Sequence, residues 1–288
     1  MIPEKIRFAS AEGIELLGDR LGTATRGTVL FAHGAGQTRH AWASAATRLA
    51  RQGWHVISLD LRGHGESGWP ESGNYRLGAF ADDLAKVGEA ITANDRRPHL
   101  VGASLGGLAG LMVETHVAPG VFASLTLVDI VPQMNPVGVE RIMAFMGAHA
   151  DEGFSSVEQA SALISAYLPH RPKPRDLSGL SKNLRLGEDG RYRWHWDPRF
   201  VASVRETRQE HNLEDFEKRL TGLTLPLHLV RGRMSELVPE DAVRSFLAAA
   251  PTAHYSDIAD AGHMVAGDRN DAFCEAVENF LAKLDAGR

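Results

Sequence analysis

Cysteine is almost missing: Cys274 is the single one in 288 residues. No disulfide can form within the chain, which suits a reducing compartment. Long apolar runs are missing too, and nothing approaches the roughly 18 residues that a membrane span needs. The opening stretch, Met1 to Leu17, is charged and broken by Pro3 and Gly13, without the apolar core of a secretory signal. A strong excess of either charge is also lacking. The chain has 31 Lys and Arg against 36 Asp and Glu, a net charge of −5, and an isoelectric point near 6.2. A nucleic acid finds no electrostatic footing on such a surface. No paired-cysteine or His-Glu-x-x-His spacing offers a metal site around His40, His64 or His195. Repeats and low-complexity tracts are absent. The expectation is a cytoplasmic protein with no membrane, nucleic-acid or metal partner. Oligomeric state has no signal here.

What is present is alternation. Thr28–Ala32, His55–Leu59, His99–Val101, Ser124–Val128, Leu227–Val230 and, more weakly, His254–Ile258 read as short strands rich in β-branched residues. Amphipathic helices lie between them: Trp42, Ala45, Ala46 and Leu49 mark one. Leu77, Phe80, Leu84, Val87 and Ile91 mark a second. Two more run from Val243 to Ala250 and from Phe273 to Leu284. This order predicts a mostly parallel sheet with helices on both faces. Residues 130–222 break it and show no convincing strand. They read as helices over Val139–Ala148 and Val157–Tyr167, a connector over His170–Arg175, an aromatic cluster of Tyr192, Trp194 and Trp196, and a charged helical stretch over Phe200–Leu220. The expected organisation is a core of 1–129 and 223–288 with a helical cap, 130–222, inserted between.

Gly102-Ala103-Ser104-Leu105-Gly106 follows a strand and opens a helical pattern, Leu105 to His116. That context marks a nucleophile on a sharp turn, where glycines are needed because side chains would collide. The turn lifts Ser104 above the carboxyl edge of the sheet, where ligands bind in open α/β folds. A hydroxyl is a poor nucleophile until a base takes its proton. Thirteen histidines compete for that part. His263 stands out, in a loop after the last strand and before the final helix. His99, His228 and His254 lie within strands and read as structural. His33-Gly34-Ala35-Gly36 follows the first buried strand, and a tetrahedral oxyanion needs two amide donors. The amides of Ala35 and Leu105 are the candidates, with His33 bracing the loop.

With His33-Gly34, Asp60-Leu61-Arg62-Gly63-His64-Gly65-Glu66-Ser67, the Ser104 turn and Gly262-His263 in that order, the sequence resembles the α/β-hydrolase superfamily with a helical cap. The resemblance implies an eight-stranded, mostly parallel sheet. It also implies acyl transfer through an acyl-enzyme, without a cofactor. Haloalkane dehalogenases and epoxide hydrolases of this fold carry aspartate at the turn, so Ser104 argues against both. Many members place the acid of the triad three residues beyond a glycine after the penultimate strand. Here that position, following Gly232, holds Ser235. Asp129, at the end of the Ser124–Val128 strand, is favoured instead, with Glu236 as the alternative. The Gly63-x-Gly65-x-x-Gly68 pattern lacks the following helix that a dinucleotide site needs. Asp60 and Arg62 are expected to pin that loop by local hydrogen bonds. Met143, Met146, Trp194 and Trp196 are expected to line a substrate pocket, with Phe145 and Tyr167 nearby. The favoured substrate is a small hydrophobic ester. A carbon–carbon bond hydrolase, a lactonase or a perhydrolase is the alternative, and a non-catalytic ligand-binding module the third reading.

Overall fold

Strands whose residues are buried on both faces sit at the middle of the sheet. All five residues of Thr28–Ala32 and of Ser124–Val128 are buried, which is why both read as mostly apolar segments whose only polar residues are Thr and Ser. The structure, a computed structural model, describes residues 1–169, 176–181, 183–207 and 213–286. Its strands are β1 (Glu4–Ala9), β2 (Glu15–Leu21), β3 (Thr28–Ala32), β4 (His55–Leu59), β5 (His99–Ala103), β6 (Ser124–Val128), β7 (Leu184–Leu186), β8 (Tyr192–Trp194), β9 (Leu227–Gly232) and β10 (His254–Ile258). Eight of them form one sheet in the order β1-β2-β4-β3-β5-β6-β9-β10. Strand β2 runs antiparallel to both neighbours. The pairs from β4 to β10 are all parallel, so the expected eight-stranded, mostly parallel sheet is found.

Helices cover both faces. Against one pack α1 (Ala43–Arg51) and α11 (Asn270–Ala286), through Ala46, Leu49, Phe273 and Val277. Against the other pack α2 (Leu77–Thr92), α3 (Leu105–Met112) and α9 (Glu240–Ala249), through Phe80, Leu84, Leu111 and Phe246. Helix α3 is shorter than its apolar pattern predicts. It passes into a π-helical turn at Val113–Val117. A short α10 (Val265–Asp268) precedes α11. Among the described residues no helix is long and apolar enough to cross a membrane.

Two strands escape the reading by apolar runs. β1 and β2 carry Glu4, Lys5, Arg7, Glu15, Asp19 and Arg20. They lie at a sheet edge, where charged side chains reach water and discourage edge-to-edge pairing.

Residues 130–222 leave the sheet after β6 and return at β9. They hold α4 (Pro136–Gly147), α5 (Val157–Tyr167), α6 (Ser178–Ser181), α7 (Arg199–Thr207) and α8 (Leu213–Leu220). Asn135 caps α4 by accepting from Val137 N, ahead of Pro136 in the first turn. Ser156 caps α5 in the same way through Gln159 N. The expectation of a strandless insertion is corrected: β7 and β8 pair antiparallel, and Phe154 bridges Tyr192. Three-residue strands around a Glu188-Asp189-Gly190 turn are too short for periodicity to register. The connector expected at His170–Arg175 lies outside the described residues, as do residues 208–212 between α7 and α8.

Candidate active site

The turn after β5 is built by close backbone approach. A Cβ on Gly102 would lie 2.5 Å from Gly107 N, and one on Gly106 would lie 2.5 Å from Ala32 O. Both glycines are therefore required sterically, Gly106 by the neighbouring strand β3. Gly34 is close but less crowded: its Cβ would meet that of Ser104 at 3.3 Å. Between them Ser104 adopts φ 45° and ψ −111°, a left-handed conformation that only a well-held backbone sustains. Ser104 N bonds Val128 O at 3.2 Å, and Gly106 N bonds His33 O at 3.2 Å. These bonds hold the turn between β3 and β6.

Asp129 also has a positive φ, 50°. It follows β6 and is fully buried. Its Oδ1 accepts from Gly232 N at 2.9 Å. Its Oδ2 accepts from Ser235 Oγ at 2.5 Å and from His263 Nδ1 at 2.8 Å. A buried carboxylate with three donors is well satisfied. Ser235, the residue at the position that lacks the expected aspartate, thus donates to the aspartate that stands elsewhere. Glu236 does not reach His263; it pairs with Arg141 at the surface, 2.5 Å away. Sequence reasoning left these two carboxylates open, and the structure brings only Asp129 to the imidazole.

Ser104 and His263 line one cavity of about 500 Å³. Among the described residues the Ser104 hydroxyl makes no hydrogen bond. Such contacts commonly tighten only when substrate is bound. The amides of Ala35 and Leu105 make none either. Leu105 N–H is the first of α3, where the helix dipole favours negative charge.

The insertion supplies the opposite wall: Ile142, Phe145, Met146, Ile164, Tyr167, Leu180, Trp194 and Trp196. Trp194 and Trp196 stack at 4.8 Å, and Phe145 and Tyr167 at 4.3 Å. Met143 does not line the cavity, which corrects that expectation. At about 100° per residue, Ile142, Phe145 and Met146 share one arc of α4 and Met143 falls outside it, in the core. Ile142, Ile164 and Leu180 were missed from sequence. Stepping back by three and four residues from Phe145 and Met146 would have found Ile142.

Three buried histidines stand behind the cavity. His33, His64 and His195 have ring centroids 5.2 and 6.0 Å apart in succession. Burial lowers the pKa of all three, and that of His195 falls to about 4. His99 and His228 bond to Ser124 and Ser256 within the sheet. In the Asp60–Ser67 loop, Asp60 accepts from Arg39 N and Glu66 N. Arg62 corrects the expectation of local bonding: it grips Asp83 on α2 at 2.7 and 2.8 Å and Glu12 at 2.8 Å. Gly63 N bonds Gly68 O, closing a turn where a nucleotide site would open a helix. Among the described residues no three His, Cys, Asp or Glu side chains are grouped to hold a metal.

Comparison with known proteins identifies the fold. Residues 27–269 match the family model of the alpha/beta hydrolase fold. Esterase Rv0045c of Mycobacterium tuberculosis is 29% identical over 90% of this chain and 84% of its own. A 2-hydroxy-6-oxononadienedioate/2-hydroxy-6-oxononatrienedioate hydrolase of Klebsiella pneumoniae is 26% identical over 89% and 87%. Among solved structures, an E-2-(acetamidomethylene)succinate hydrolase superposes with a TM-score of 0.83 over 98% of this chain and all of the other, at 22% identity. With most of its length matched, this chain belongs to the alpha/beta hydrolase fold family.

Proposed function

We propose that this protein is a serine hydrolase, a carboxylesterase acting on small hydrophobic esters. The observation that carries the reading is the Asp129–His263 pair opening onto the same cavity as Ser104. Ser104 is the nucleophile, His263 the base and then the acid, and Asp129 the third member of the triad. The carboxylate holds His263 with its proton on Nδ1, leaving Nε2 free to accept from Ser104, and stabilises the imidazolium that results. Ser104 Oγ attacks the ester carbonyl, and the amides of Ala35 and Leu105 take the charge that develops on its oxygen. The alcohol leaves with the proton from His263. Water, deprotonated by the same ring, then releases the acid and restores the serine. No cofactor takes part. Residues 130–222 act as the cap that covers the acyl group.

The apolar lining supports the ester class, as does the esterase among the relatives. The names of the Klebsiella relative and of the succinate hydrolase describe dicarboxylates, which call for fixed cations. Among the described residues lining the cavity none is Arg or Lys. The test is a fluorophosphonate probe together with p-nitrophenyl esters from acetate to octanoate. Wild-type protein labels once and turns over the esters, and Ser104→Ala does neither. Equal labelling of both proteins, or none of the wild type, ends the reading.

A further inference from the structure

Ala35 stands between Gly34 and Gly36, and glycine is the residue least able to hold a backbone still. Their carbonyls are held by buried histidines. His33 Nδ1 lies 2.8 Å from Gly34 O, and its Nε2 accepts from Leu61 N at 3.0 Å. A carbonyl only accepts and an amide only donates, so this ring is neutral with its proton on Nδ1. Gly34 C=O and Ala35 N–H belong to one trans peptide and point in opposite directions. Fixing the oxygen therefore aims the amide. Gln37 Oε1 holds the other end of Gly34 through its N–H at 3.0 Å.

The second anchor comes from the insertion, 159 residues away in sequence. His195 Nε2 lies 3.3 Å from Gly36 O, and its Nδ1 accepts from Gly65 N at 2.8 Å. By the same reasoning the ring is neutral with its proton on Nε2. Gly36 has φ 72°, and a Cβ there would lie 3.3 Å from Met146 Cε and from Trp196. The insertion therefore both bonds to Gly36 and crowds any side chain placed on it. His195 is 2% exposed and does not line the cavity.

We propose that His195 is a positioning residue: through Gly36 O it fixes the Gly36–Gln37 peptide, whose Gln37 N–H bonds Gly34 O at 3.1 Å, and thereby lets the seated insertion set the aim of the Ala35 amide, so that transition-state stabilisation depends on the cap being in place. This rests on the reading of Ala35 as an oxyanion donor.

Two near-isosteres separate the ring's nitrogens. In His195→Asn the amide oxygen replaces Nδ1 and keeps Gly65 bonded, while the reach to Gly36 O is lost. In His195→Gln the amide nitrogen replaces Nε2 and still donates to Gly36 O. Deleting an oxyanion donor outright costs about 10²–10³ in kcat, and misaiming one costs less. His195→Asn is expected to lower kcat roughly 10- to 100-fold with KM nearly unchanged, the signature of an interaction made only in the transition state. Affinity for a trifluoromethyl ketone, whose serine adduct carries the oxyanion, should fall in step with kcat/KM. His195→Gln is expected to hold kcat within about threefold of wild type. Equal losses in both variants, a greater loss in Gln, or no loss in Asn overturns the proposal. Should neither variant fold, ¹⁵N NMR of wild-type protein labelled in histidine decides: a ring protonated on Nε2 alone is expected, and the opposite tautomer refutes the anchor. Failure of the parent reading looks different, because wild-type protein would then not label with fluorophosphonate at Ser104.

Discussion

Replacing Asp129 by Asn changes one oxygen to an NH2 group and leaves the shape of the side chain alone. The surroundings dictate which way the amide turns. Gly232 N–H is a fixed donor and must keep the carbonyl oxygen. The NH2 then faces Ser235 Oγ and His263 Nδ1. The serine hydroxyl can turn its proton away, but its oxygen already accepts from Leu237 N at 3.1 Å and Val238 N at 3.4 Å, so the longer of these bonds gives way. The imidazole can accept only by moving its proton to Nε2, which removes the lone pair that takes the Ser104 proton. The fold should survive with a loss of about 1.5–3 kcal/mol, the worth of a charge-assisted bond. Turnover should fall on the order of 10⁴-fold, about 5.5 kcal/mol in the barrier. Steady-state hydrolysis of p-nitrophenyl butyrate gives kcat, and urea unfolding gives the stability of the same sample. Glu236→Gln, which loses only an exposed partner of Arg141, should match wild type in both. A folded Asp129→Asn protein within tenfold of wild-type kcat, or an equal loss in Glu236→Gln, would refute the reasoning.

Acid should unfold the protein early. His195 and His228 have pKa values depressed by burial to about 4 and about 3, against 6.5 in the unfolded chain. Below 6.5 the unfolded state binds protons that the native state refuses, so stability falls as pH drops toward those values. His195 alone accounts for about 3 kcal/mol by pH 4. Urea midpoints measured from pH 7.5 to 5 should begin to drop near 6.5, and a flat profile down to pH 5 contradicts the neutral buried rings. Gly106→Ala drives a methyl group to 2.5 Å from Ala32 O, and strand backbone cannot retreat. A destabilisation of about 3 kcal/mol is expected by urea unfolding, and a neutral result would mean that β3 yields to the added methyl group.

Features set by neighbours in the chain were readable in advance. The Gly102–Gly106 turn announces itself because its glycines answer to crowding within a few residues. The central parallel strands do so because burial on both faces selects mostly apolar side chains. Asp129 was visible as a strand end, and Ser235 as a gap where a charge was awaited. That these two residues meet was not visible, since 106 positions separate them. The strands β1 and β2 hid behind their charges, and β7 and β8 behind their brevity. Met143 was misplaced because hydrophobicity does not say which of two apolar neighbours on a helix turns inward. The bond from His195 to Gly36 is beyond any periodic signal.

Housing the carboxylate at the end of β6 has an evolutionary corollary. Residue 129 is the last before the chain departs from the sheet, so any exchange of the segment that follows must respect its left-handed backbone. The turn after β9, by contrast, contributes only a hydroxyl and an amide. That hydroxyl is itself held by Leu237 N and Val238 N at 3.1 and 3.4 Å, so a change of length in this turn is expected to spare the chemistry only where it falls beyond Val238.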